Sequence, residues 1–128
     1  MAGKGDLINH TVLVVDDDAN VCKLICAVLA RQGYGTAVAG NGREALTYLK
    51  KCACVPGLIL LDLMMPEMTG WEFRKLQQED PELAGIPVAI ITGLDSEEGK
   101  YKSIGAVDVL CKPSRAEELI SVVSRLCK

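Results

Sequence analysis

The sequence predicts an α/β domain in which a parallel sheet is covered by helices on both faces. Five short apolar or β-branched runs recur along the 128 residues, each followed by a segment with helical spacing of its apolar residues. Strands that alternate with helices in this way pair in parallel, because each return crosses over a face of the sheet. The central run, Leu58-Ile59-Leu60-Leu61, is continuously aliphatic after Pro56-Gly57, as expected of a strand buried on both sides. Connections are short, and no stretch reads as a linker, a low-complexity tract or a solenoid repeat. One domain over residues 11–128 is expected, behind a flexible segment of residues 1–10.

Thr11 to Val15 is β-branched and ends in Asp16-Asp17-Asp18. Val21 to Arg31 follows as a helix that is apolar nearly all round, through Val21, Cys22, Leu24, Ile25, Cys26, Val28 and Leu29, with Gly33 to stop it. Thr36 to Ala39 is a second strand. Asn41-Gly42-Arg43-Glu44 then has the spacing of a capping box and opens a helix to about Lys51. Beyond the central strand and its Asp62, Thr69-Gly70-Trp71-Glu72 is a second such box, opening a helix that ends before Asp80-Pro81. Pro87 to Ile91 is the fourth strand, delivering Thr92-Gly93. Asp95-Ser96-Glu97-Glu98 caps a helix that runs out before Gly105. Val107 to Cys111 is the fifth strand, delivering Lys112-Pro113. Ser114 to Glu117 is one more capping box, and its helix buries Leu119, Ile120, Val123, Leu126 and Cys127.

Composition narrows the function. A net charge of −3 gives no footprint for direct nucleic-acid binding or for an anionic membrane. The longest apolar runs are strand-sized, too short for a bilayer, and Met1 to His10 lacks the apolar core of a signal peptide; a cytoplasmic protein is expected. The six cysteines, Cys22, Cys26, Cys52, Cys54, Cys111 and Cys127, contain no C-x-x-C pair, and the lone histidine is His10. Zinc spacings are therefore absent. Free thiols packed as small hydrophobes in a reducing compartment are the plain expectation.

The chemistry sits just after the strands: Asp16 and Asp17 after the first, Asp62 after the third, Thr92 after the fourth and Lys112 after the fifth. Right-handed βα units bring all these ends to one edge of the sheet. A switch in strand order there opens a ligand crevice. An Asp after a strand often does no more than cap a turn. Three of them converging with a hydroxyl and an ammonium is a different matter. Carboxylates packed together repel and call for a cation, and hard oxygen donors without His or thiolate select Mg²⁺. The Thr92 hydroxyl and the Lys112 ammonium suit phosphoryl oxygens. Phosphoryl transfer with Asp62 as nucleophile is the expected chemistry.

Four stretches carry a resemblance: Val14-Val15-Asp16-Asp17, Leu61-Asp62-Leu63-Met64-Met65-Pro66-Glu67-Met68-Thr69-Gly70, Ile91-Thr92-Gly93 and Cys111-Lys112-Pro113. Over roughly residues 10 to 128 the chain resembles the receiver domain of two-component response regulators. The resemblance implies a single flavodoxin-like (βα)5 domain with sheet order 2-1-3-4-5. It implies that Asp62 accepts phosphate from the phosphohistidine of a sensor histidine kinase or histidine phosphotransferase. Asp17, Asp62 and the main-chain carbonyl of Met64 would hold Mg²⁺, with Asp16 acting on the metal through water. Thr92 and Lys112 would bind phosphoryl oxygens, and the Lys112-Pro113 bond would be cis. Self-catalysed phosphorylation and dephosphorylation make such a protein an enzyme only in a limited sense. Its output is a conformational shift read by a protein target, from a monomer or weak dimer.

Three features depart from the family pattern. Many receivers carry Tyr or Phe three residues before the lysine; Val109 stands here and has no large rotamer swing to offer. Tyr101, on the preceding helix, does not occupy that place. Gly93 offers no side chain to cover an acyl phosphate, and Met64 has no polar group to orient water. The apolar first helix reads either as a docking face for a kinase or as a helix with small fillers, and the second reading is preferred. Two rival functions exist. A haloacid-dehalogenase-type phosphatase expects a second Asp two residues after the nucleophile, where Met64 stands. A phosphate-independent adaptor has no need of the intact Asp16, Asp17, Asp62, Thr92 and Lys112.

Overall fold

The computed structural model describes residues 8–52, 55–63, 65, 68–92, 108–111 and 116–127. In chain order these form β1 (Ile8–Val15), α1 (Ala19–Arg31), β2 (Gly35–Ala39), α2 (Gly42–Lys51), β3 (Val55–Asp62), α3 (Gly70–Glu79), β4 (Val88–Thr92), β5 (Asp108–Cys111) and α4 (Ala116–Leu126). The helix expected from Asp95, with Tyr101, and the expected capping box at Ser114 lie outside the described residues. All pairings are parallel, and the sheet order is β2-β1-β3-β4-β5. The strand order reverses between β1 and β3, and that is the switch point an open α/β sheet uses for ligands.

The sheet separates two cores by the alternation of side chains along its strands. Leu13, Val15, Ile59, Leu61 and Ile90 face one way, against Ala45 and Leu49 of α2 and Phe73 of α3. Val12, Val14, Leu58, Leu60, Ala89 and Ile91 face the other, against Cys22, Ile25 and Leu29 of α1 and Leu119, Val122 and Val123 of α4. All eight residues of β3 are buried, which is why that segment is aliphatic without alternation. Each fully buried Leu, Ile or Val contributes about 1.5–3 kcal/mol relative to exposure. These residues therefore fix which way β1, β3 and β4 face.

Several boundaries differ from expectation. β1 begins at Ile8, ahead of Thr11, because Ile8 and Asn9 pair with Val55 and Pro56. β3 accordingly runs through Pro56-Gly57. The proline is tolerated there because β4 pairs only from Ile59 onward, and the β1–β3 register shifts between Asn9 and Val12. In α4 the inner positions are Leu119, Val122, Val123 and Cys127, while Ile120 and Leu126 are half-buried. Val122 takes the place expected of Ile120, since positions three and four apart share a face.

The helix ends follow the local chemistry. α1 stops in a Schellman motif: Tyr34 N–H donates to Leu29 O (3.1 Å) and Gly33 N–H to Ala30 O (3.1 Å), with Gly33 at φ 88°. Thr69 and Glu72 form the full capping box of α3, with Glu72 N–H on Thr69 Oγ1 and Thr69 N–H on Glu72 Oε1. At α2 only half of the expected box forms. Asn41 Oδ1 accepts from Glu44 N–H (2.9 Å), whereas Glu44 Oε1 reaches one residue further back, to Gly40 N–H (3.1 Å). On α1, Cys22 is buried, Cys26 is half-buried and Leu24 is 69% exposed, so the cysteines serve as fillers and Leu24 alone projects.

Cys26, Cys52 and Cys127 are thiols outside any disulfide; Cys54 lies outside the described residues. Burial pushes the Cys127 thiol above its ordinary value of 9.0. Burial, and then the neighbouring Cys52, push Tyr48 above 10.0. Both groups are held neutral in the fold and ionise more readily once unfolded. Their contribution is complete below the unfolded values and is lost as pH rises past them. Urea unfolding should therefore show stability level up to about pH 8 and falling beyond pH 9, with a smaller fall in Cys127→Ala.

Candidate functional site

β1 and β3 end side by side. Val15 pairs with Leu61, so the next residues, Asp16 and Asp62, leave the sheet as neighbours. Both are buried, at 4% and 5% exposure, while Asp17 faces solvent. Carboxylate oxygens of Asp16, Asp17 and Asp62 all lie within 4.8 Å of one another. Among the described residues this is the one such group.

The backbone around Asp16 is tightly specified. Its N–H donates to Ala39 O at the end of β2 (3.0 Å), and its carbonyl accepts a long bond from the Cys22 thiol (3.5 Å). Its Oδ1 accepts from Asp18 N–H (2.9 Å). Asp18 does different work from its two neighbours. It caps α1, accepting from Asn20 N–H (2.9 Å) and Val21 N–H (3.4 Å). The triplet Asp16-Asp17-Asp18 thus divides into two residues facing the site and one holding the helix behind it. Asp18→Ala should cost about 1 kcal/mol of stability by urea unfolding, the usual worth of an N-cap. A change below a few tenths would refute that role.

The remaining expected residues are placed only in part. Asp62 pairs with Ile91 across β3–β4, and Thr92 with Cys111 across β4–β5. The Thr92 backbone therefore ends its strand at the same edge, one residue beyond the partner of Asp62. Val109 pairs with Ile90 within the sheet. Met64, Gly93, Lys112 and Pro113 lie outside the described residues.

The donor set fits a hard divalent cation. Three carboxylates with no thiolate or imidazole among them match oxygen-ligated Mg²⁺. At separations of 4.8 Å or less each charged pair repels by at least about 3.5 kcal/mol at an effective dielectric of 20, and less where water reaches Asp17. A dication reverses that sign.

A family description, response regulator receiver domain, matches residues 12–124. The chain belongs to the response regulator receiver domains. Among curated relatives, the receiver is 34% identical over 120 residues to the DNA-binding response regulator MtrA of Mycobacterium tuberculosis. That alignment takes in 92% of this chain and 50% of MtrA, so the chain spans about half the length of the curated relatives it matches. Among solved structures, a Francisella response regulator receiver domain is similar at 34% identity and TM-score 0.80, covering 92% of this chain and 96% of its own. The signal receiver domain of a Syntrophus aciditrophicus histidine kinase gives 33% and 0.83, covering 93% and 90%. TrrA of Thermotoga maritima, solved in complex with Mg²⁺–BeF, gives 26% and 0.81, covering 92% and 99%.

One buried polar group escaped sequence reasoning. Gln77, fully buried in α3, accepts from Arg74 Nη1 (2.8 Å) and donates through Nε2 to Leu83 O (2.8 Å) and Ile86 O (3.1 Å). Arg74 is itself 7% exposed, and burial pulls its guanidinium below its ordinary value. Gln77 ties α3 to the turn that feeds β4. Its place at the head of a polar run, Gln77 to Asp80, concealed it, and only the position one turn beyond Phe73 hinted at burial.

Proposed function

We propose that this receiver takes a phosphoryl group onto Asp62 from the phosphohistidine of a sensor histidine kinase or a histidine phosphotransferase. The observation that carries the reading is the convergence of Asp16, Asp17 and Asp62 at the sheet edge of a receiver domain. A carboxylate oxygen of Asp62 attacks phosphorus in line, the phosphorus–nitrogen bond breaks, and the released imidazole nitrogen takes a proton. Asp17, Asp62 and the Met64 carbonyl would hold Mg²⁺, with Asp16 acting through water, and the bound ion would supply neutralisation of charge on the transferring group. Lys112 and Thr92 contribute an ammonium and a hydroxyl to the phosphoryl oxygens. TrrA, a similar receiver solved with Mg²⁺–BeF, supports the same ligand class here.

The helix from Asp95 would complete a (βα)5 domain over residues 11–128. Phosphate on Asp62 favours the conformation in which Thr92 and Lys112 close on it, and a protein target reads that shift. The receiver acts in the cytoplasm and through protein contacts; among the described residues no helix is long and apolar enough to cross a membrane. It serves either as the receiver portion of a longer regulator or hybrid kinase, or alone. Incubation with acetyl phosphate should incorporate one phosphate per chain, read by intact mass, and only when Mg²⁺ is present. Uptake that survives chelation would defeat the metal assignment; no uptake at all would defeat the function.

A further inference from the structure

We infer that Gly70 and Gly42 are positioning residues for Asp62, letting the first turn of α3 sit wedged between α2 and the phosphoacceptor's own main chain. The inference rests on the reading of Asp62 as part of a Mg²⁺-holding phosphoacceptor site. Gly70 N–H donates to Leu63 O (3.0 Å), which draws the start of α3 onto the end of β3. A Cβ at Gly70 would lie 2.5 Å from Asp62 O and 2.8 Å from Leu63 Cα. Both are backbone atoms, of Asp62 itself and of the residue that follows it, so neither can yield by a change of rotamer.

The far side of the same turn is also close, though the nearest atoms there belong to the Met68 side chain. A Cβ at Gly42, the first residue of α2, would lie 2.9 Å from Met68 Cγ and Sδ and 3.0 Å from Phe73 Cβ. Phe73 is fully buried and its Cβ cannot retreat without its helix. The Thr69–Glu72 capping box stiffens the turn between these contacts. Neither glycine has positive φ; Gly33 alone does among the described glycines. What positions 42 and 70 require is therefore space. A methyl group at 70 pushes the Asp62 backbone directly. One at 42 pushes the turn toward it through Met68 and Phe73. Either displacement alters the spacing of Asp62 from Asp16 and Asp17, on which the affinity for a cation depends.

Titration of Mg²⁺ alone into the metal-free protein by calorimetry tests this, at a temperature where circular dichroism shows each variant folded. Gly70→Ala should weaken Mg²⁺ binding about 10- to 100-fold, the usual effect of disturbing the groups that orient metal ligands. Gly42→Ala should weaken it less, and adding Met68→Ala to it should recover most of the loss. Gly85→Ala, where a Cβ meets nothing within 4 Å, should bind as wild type does. Folded Gly70→Ala with wild-type affinity would overturn the inference, whatever its melting temperature. If Gly70→Ala does not fold, the position-42 pair decides: wild-type affinity in Gly42→Ala, or no recovery on adding Met68→Ala, overturns it. Wild-type protein that binds no Mg²⁺ would overturn the phosphoacceptor reading and this inference together.

Discussion

Asp62→Asn should take up no phosphate from acetyl phosphate under conditions that fully label the wild-type receiver. The substitution keeps shape and volume, so the buried end of β3 stays packed; what it removes is the proposed nucleophile and one carboxylate of the three. An amide offers no oxyanion to attack phosphorus. The loss should exceed a thousandfold, on the scale found when a covalent nucleophile is deleted. The same variant should also lose stabilisation by metal. A ligand held at a hundred times its dissociation constant stabilises the folded state by about 2.7 kcal/mol, and a weaker site gives correspondingly less. Thermal melts with and without Mg²⁺ should therefore separate clearly for the wild type and nearly coincide for Asp62→Asn. Full labelling of the variant would remove Asp62 from the chemistry, and an undiminished Mg²⁺ shift would remove it from the metal site.

Gln77→Met should lower stability by about 2–4 kcal/mol, since three buried hydrogen bonds go with one side chain. Methionine fills the same space, so no cavity contributes. What disappears is the donor to Leu83 O and Ile86 O and the acceptor for Arg74 Nη1. Buried carbonyls left without that donor carry a desolvation cost, and the neighbouring guanidinium keeps its charge in a site with one acceptor fewer. Urea unfolding is the measurement. A loss below about 0.5 kcal/mol would mean that water takes over the bonds and that the turn is held by Leu83 and Ile86 packing alone. Phosphate uptake by the folded variant should remain, since Gln77 lies far along α3 from its first turn.

Aliphatic runs ending in Asp62 and Thr92, β-branched residues ending in Asp16, and capping signals at Asn41 and Thr69 are local properties, and each was legible from the letters. Family membership was equally legible, because the motifs sit at strand ends in a fixed order. Less legible were features that depend on what lies opposite. Pro56 reads as a boundary until its neighbours show that β4 does not reach it. Gln77 reads as a surface residue until the turn at Leu83–Ile86 folds back over it. Asp18 has no role of its own in the letters until its oxygen is found on the N–H groups of α1.

By itself, then, the sequence determined the strands, most helix starts, the receiver family and the residue types its chemistry needs. Periodicity, capping and motif order act over a few residues and survive in one dimension. Tertiary structure alone decided that Asp16, Asp17 and Asp62 share a space less than 4.8 Å across, and that Gly42 and Gly70 leave room for the turn behind them. Those distances arise from segments tens of residues apart brought together by strand register and helix packing, and no local preference encodes them.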